Sequence, residues 1–97
     1  MNEAKLTRKI LKSLKDTYGG IWWKIHANVY QGKGTLDIFG VTEGKFFGLE
    51  VKLPGKEDTL SKMQEYTIKK INESGGYSRM VTSVKQTTRF VKRALNQ

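Results

Sequence analysis

The sequence predicts one small mixed α/β domain over residues 1–97, its elements running α-β-β-β-α-β-α. Three features predict it. Apolar residues recur at helical spacing near both ends of the chain and again past its middle. Short runs rich in aromatic and β-branched residues, punctuated by glycine, lie between them. Residues 34–52 alternate apolar and polar positions on both sides of Glu43-Gly44, as a half-buried antiparallel hairpin does.

The first helix runs from Asn2 to about Lys15, with Leu6, Ile10, Leu11 and Leu14 on one stripe, and Tyr18-Gly19-Gly20 ends it. Ile21 to Ile25 forms a strand whose Trp22 and Trp23 point to opposite faces, one for the core and one for a base or a partner chain. Residues 28–35 make a polar, glycine-rich loop. In the hairpin a two-residue turn sets Thr42 opposite Lys45 and Asp37 opposite Glu50, and Lys52 shares their face. The other face carries Leu36, Ile38, Phe47, Leu49, Val51 and Leu53, an apolar set that a one-residue slip would spoil by admitting Asp37. Pro54-Gly55 stops the third strand. Ser61 and Gln64 open a second helix, Lys62 to Glu73, with a capping box. Ser74-Gly75-Gly76 ends that helix, and Tyr77 to Thr82 is a fourth strand. Val84 to Leu95 is a basic helix with Val84, Thr88, Val91 and Leu95 on its apolar stripe.

With 37% hydrophobic and 28% charged residues, the composition is that of a folded chain and not a disordered one. No apolar run approaches the roughly 20 residues of a membrane span, and no secretory leader is recognisable. The absence of cysteine excludes thiolate metal sites, cysteine nucleophiles and disulfides, and a reducing cytoplasm is the expected compartment. Eighteen Lys and Arg against nine Asp and Glu leave +9 and a pI near 9.9, which favours a polyanionic partner, nucleic acid first. A membrane surface would need a helix with an aromatic-rich apolar side, and none stands out.

The acidic residues are few, so their placement matters. Two carboxylates and an ammonium on an otherwise apolar hairpin are costly, and the cost is explained if they hold a divalent cation and activate a water beside it. Gln64 shares a helical stripe with Leu60, Ile68 and Ile71, where an apolar residue is expected. Its amide completes the Ser61 cap, or bonds toward the Lys52 strand, or does both. Lys24, Lys33, Lys45 and Lys56 flank the acidic motif as candidate phosphate contacts, with Tyr30 and Gln31 approaching the substrate backbone from the loop. Lys85, Arg89, Lys92 and Arg93 form a separate basic patch. His26 has no His or Cys companion and reads as a structural or DNA-contacting residue.

The run Gly34-Thr35-Leu36-Asp37, then Phe47-Gly48-Leu49-Glu50-Val51-Lys52, Gln64 and Gly75-Gly76 resembles the virus-type replication–repair nuclease domain, VRR-NUC, of the PD-(D/E)xK superfamily. Lys24-Ile25-His26 and Tyr30-Gln31 are similar to its lead-in, and the likeness spans about Glu3 to Val84. One position departs from it: the family usually has proline before the motif aspartate, where this chain has Leu36. The resemblance implies a restriction-endonuclease-like core and Mg²⁺ or Mn²⁺ ligated by Asp37, Glu50 and the carbonyl of Val51. In it Lys52 orients or deprotonates the attacking water, Gln64 fixes Lys52 or that water, and Glu3 on the first helix completes the acidic set. It further implies a phage-type DNA endonuclease of replication, recombination or repair, in the cytoplasm of a bacterial or phage-infected cell. Branched or duplex DNA is the expected partner, with no membrane and no small-molecule cofactor. A homodimer would place two sites on two strands, as a Holliday-junction resolvase needs. The alternative from another class is a non-catalytic basic nucleic-acid-binding module, which would be indifferent to Asp37→Ala.

Overall fold

The hairpin organises the sheet. In the computed structural model, which describes residues 1–26 and 34–97, β2 (Ile38–Thr42) and β3 (Lys45–Val51) pair from Thr42–Lys45 to Ile38–Leu49. Glu43 and Gly44 both have positive φ, 51° and 76°, as a two-residue type I′ turn requires. On one side of the hairpin β1 (Ile21–Lys24) pairs antiparallel with β2, and Ile25 extends the pairing by donating its N–H to the Asp37 carbonyl at 2.8 Å. On the other side β4 (Tyr77–Val81) pairs parallel with β3. The sheet is therefore mixed, in the order β1-β2-β3-β4. Three helices accompany it among the described residues: α1 (Glu3–Thr17), α2 (Lys62–Glu73) and α3 (Val84–Leu95). The mixed α and β class is as the sequence predicts; a one-turn 3₁₀ helix at Glu57–Thr59 is an addition.

α1 and α3 cover one face. Asn2 caps α1 by accepting from the Lys5 N–H at 2.8 Å, and Leu6, Ile10 and Leu14 turn inward. They meet Trp22, Ile38, Phe47, Leu49, Val51, Val81, Val91 and Ala94 in one cluster. Phe47 lies at its centre, with the rings of Trp22 and Tyr77 each 5.4 Å away and that of Phe90 at 6.3 Å. The buried stripe of α3 is Thr87, Val91 and Ala94, with Val84 and Leu95 packed partly buried against the cluster, so the expected stripe faces the core except that Thr87 takes the place of Thr88. Thr88 is only half-buried, and its carbonyl accepts the Tyr18 hydroxyl at 3.0 Å.

α2 packs on the opposite face against β3 and β4. Asn72 pins it to β4, accepting from the Ser78 N–H at 2.9 Å and donating to the Ser78 carbonyl at 3.0 Å. Gly48 permits the close approach, since a Cβ there would stand 2.8 Å from Ile71 Cδ1 and 3.2 Å from Leu36 Cδ1. Leu36 is thus on the α2 face and outside the cluster around Phe47, contrary to the alternation expected of the hairpin. The reason is a bend at Asp37. The β2 ladder ends at Ile38, and the Asp37 N–H donates to the Leu49 carbonyl at 3.1 Å, one residue out of register with it. No residue of α2 is fully buried, and Ile21, Trp23, Val41 and Phe46 leave an uncovered apolar strip across β1, β2 and β3. No helix among the described residues is long and apolar enough to cross a membrane.

Candidate metal centre

Three carboxylates converge where β2 and β3 separate. Glu3 comes from the first turn of α1, Asp37 from the bend before β2, and Glu50 from the penultimate position of β3. One oxygen of each lies within 4.8 Å of the others. Backbone and side-chain bonds hold Asp37 and Glu50. The Val51 N–H donates to Asp37 Oδ2 at 2.8 Å. Gln64 Nε2 donates to Glu50 Oε2 at 2.9 Å, and Lys52 Nζ stands 3.6 Å from that same oxygen.

Gln64 does both things its sequence position allowed. Its carbonyl accepts from the Ser61 N–H at 3.0 Å, and its N–H donates to Ser61 Oγ at 3.0 Å. With Oε1 committed to the cap, Nε2 is turned toward Glu50. The helix start thereby becomes the support of the carboxylate.

Glu50 is the anomaly of the site. It is 3% exposed, and its Oε1 is buried with no hydrogen-bond partner among the described residues. Burial, then the neighbouring Asp37 charge, push its carboxyl up to about 8 against the pull of Lys52, and the charge of Glu3 adds to the rise. Burial and the two acids thus favour the protonated carboxyl despite Lys52, and a divalent cation would favour the carboxylate. The donor set is all oxygen and rich in carboxylate, which suits a hard divalent cation such as Mg²⁺ or Mn²⁺. Glu3, Asp37 and Glu50 could hold one, and the orphaned Oε1 fits that use.

Of the residues singled out in the sequence, Glu3, Asp37, Glu50, Lys52 and Gln64 come together. Val51 is part of the site through its amide, a contact that side-chain patterns do not signal. Lys45 does not reach it. It opens β3, five positions and about 16 Å of strand before Glu50. Its ammonium is spent on the end of α3, donating to the carbonyls of Ala94 at 2.6 Å and Gln97 at 3.3 Å, beside the Tyr77 ring. Lys24 closes β1 at the site end of the sheet but alternates with Trp23 onto the α1 face. Lys56 is exposed on the connection from Lys52 to α2, and His26 is exposed past the end of β1. Tyr30, Gln31 and Lys33 lie outside the described residues. No protein-family model matches the chain, and no curated protein matches it either.

Proposed function

We propose that the chain is a VRR-NUC-like, metal-dependent endonuclease that hydrolyses DNA phosphodiester bonds and selects its substrate by structure. The observation that carries this reading is the buried Oε1 of Glu50, without a hydrogen-bond partner among the described residues and between two further carboxylates, in a chain of net charge +9. A basic protein gains nothing from such an acidic pocket unless a cation fills it, and its charge otherwise suits a polyanion.

Glu3, Asp37 and Glu50 would hold Mg²⁺ or Mn²⁺ together with the carbonyl of Val51. Bound there, the cation supplies a Lewis acid for the phosphate and lowers the pKa of a water. The remaining work falls to the protein. The Val51 N–H fixes Asp37, and Gln64 fixes Glu50, so the carboxylates are held in place before substrate arrives. Lys52 orients the attacking water and offsets charge that builds on the phosphorus oxygens. Action in the cytoplasm of a bacterial or phage-infected cell, in replication, recombination or repair, follows from the same reading.

A second reading, a Holliday-junction resolvase working as a homodimer, is favoured by the uncovered strip of Ile21, Trp23, Val41 and Phe46. A two-fold pair of copies would bury it against itself. Labelled four-way-junction, flap and linear duplex DNA, incubated with Mg²⁺, Mn²⁺ or EDTA, test both readings beside Glu50→Ala. Cutting that needs metal and is lost in the variant is the expected result. Paired symmetric nicks confined to the junction would select the resolvase. Tight binding without cutting, unchanged in Glu50→Ala, would leave a basic binding module and overturn the hydrolytic reading.

A further inference from the structure

The positive charge is segregated within the fold. α3 carries Lys85, Arg89, Lys92 and Arg93 and no carboxylate. α1 carries Lys5, Arg8, Lys9, Lys12 and Lys15 against Glu3 and Asp16. Nine cations against two acids put net +7 on these two helices, out of +9 for the whole chain. α2, across the sheet, has Lys62, Lys69 and Lys70 against Glu65 and Glu73, a net of +1. Lys69 and Lys70 there both approach Glu73, at 3.9 and 3.6 Å. Of the nine cations on α1 and α3, only Lys12 forms an ion pair among the described residues, with Asp16 at 2.6 Å.

Packing turns these cations into a surface. The buried stripes of α1 and α3 set the rotation of each helix about its axis. Lys5, Lys9 and Lys12 consequently share one outward stripe, and Lys85, Arg89 and Lys92 another, each at i, i+4, i+7 and all exposed. Each stripe covers about 10 Å of helix axis. The Tyr18–Thr88 bond ties the end of α1 to α3, and a shallow groove of about 420 Å³ runs between the helices, lined by Lys9, Lys12, Ser13, Asp16, Thr17 and Val84.

We infer that the α1/α3 layer is a second nucleic-acid surface, which grips the phosphate backbone of a duplex arm and leads it to the carboxylates through the start of α1. Phosphates of one strand advance about 3.4 Å along a duplex, so each stripe faces about three of them. A single strand would call for rings on which unpaired bases stack. The exposed rings, Trp23 and Tyr66 with Phe46, belong to the other face of the sheet, and the outer sides of α1 and α3 have none. Those outer sides also lack the apolar residues that would enter a bilayer. The site is reached around the start of α1: Glu3, on the inward side with Leu6 and Thr7, belongs to the carboxylate cluster, and Lys5, about 3 Å further along the axis and on the outward side, begins the α1 stripe. Binding by this layer is independent of hydrolysis, whereas delivery of the arm to Glu3, Asp37 and Glu50 rests on the hydrolytic reading.

The test is fluorescence anisotropy of a short labelled DNA duplex in EDTA, titrated across a range of salt concentrations. Three triple variants remove equal charge: Lys5→Gln with Lys9→Gln and Lys12→Gln; Lys85→Gln with Arg89→Gln and Lys92→Gln; and Lys62→Gln with Lys69→Gln and Lys70→Gln. Circular dichroism melts establish that each is folded. The α1 and α3 triples are expected to lose at least about tenfold in affinity and to flatten the log–log salt dependence by about 2–3, near 0.9 per lost phosphate contact. The α2 triple should change far less. Equal losses in all three would reduce the effect to bulk charge, and unchanged binding in the α1 and α3 triples would overturn the surface outright. So would loss of binding to phosphatidylserine vesicles in those triples while duplex binding is kept. A parent that binds but never cuts removes the delivery to the site and leaves the binding surface standing.

Discussion

The two faces of the sheet are built to different standards. Under α1 and α3 the side chains close into a dry cluster around Phe47, and every strand and both helices contribute to it. Under α2 no helical residue is fully buried, the apolar strip from Ile21 to Phe46 is uncovered, and a buried carboxyl lacks a partner for one oxygen among the described residues, where the other side leaves only the Trp22 indole N–H unpaired. The lesson is a division of labour. One layer carries the stability, so the other tolerates groups that packing alone would never select, and such local violations gather at functional sites.

The sharpest way to break this comparison is to weaken each face in turn. Phe47→Ala, at the centre of the cluster, should lower the unfolding free energy by about 3–5 kcal/mol, while Ile71→Ala under α2, only half-buried, should cost less than half as much. Urea denaturation measures both, and equal losses would erase the difference between the faces.

A smaller effect sharpens the comparison on the α2 side. The folded chain holds the Glu50 proton up to about pH 8, and the unfolded chain releases it near its ordinary 4.5. The folded state therefore binds more protons across that interval, so metal-free stability should fall as pH rises from about 5 to 8. Melting curves in EDTA should show this fall, saturating Mg²⁺ should oppose it, and Glu50→Gln should flatten it while melting higher than the parent at pH 8. A parent as stable at pH 8 as at pH 5 would mean that the carboxyl is already compensated.

The smallest change concerns the basic layer. Asp16→Asn breaks an exposed pair with Lys12, so it should leave the melting temperature unchanged and tighten duplex binding by removing one of two acids from the α1/α3 layer. Weaker binding by this variant would argue that Asp16 organises the lysines rather than opposing them.

Much of this was legible in the residues alone. The Glu43-Gly44 turn, the pairing of Thr42 with Lys45, the bounds of α2 and α3, and the division of Trp22 from Trp23 all follow from the periods of strand and helix. Side-chain alternation put Asp37, Glu50 and Lys52 on one side, although the expected pairing of Asp37 directly opposite Glu50 is not formed. The double use of Gln64 was written in its spacing from Ser61 and its stripe with Ile68 and Ile71. Other features were not legible. Alternation carried Leu36 to the wrong face because it ignores the bend at Asp37, and nearness in sequence placed Lys45 by the acids when its ammonium caps α3.

The sequence by itself determined local relations: which side of each strand is apolar, where helices start and stop, and how the hairpin is registered. These are set by short-range geometry, with side chains repeating every two residues in a strand and every 3.6 in a helix. Only the tertiary structure decided how Glu3, assigned to the acidic set by resemblance alone, meets carboxylates more than thirty positions away, that α2 stays half-covered, and that the charge of α1 joins that of α3 in one layer. Such meetings depend on how helices pack across a common sheet, and no periodicity within a single element encodes them.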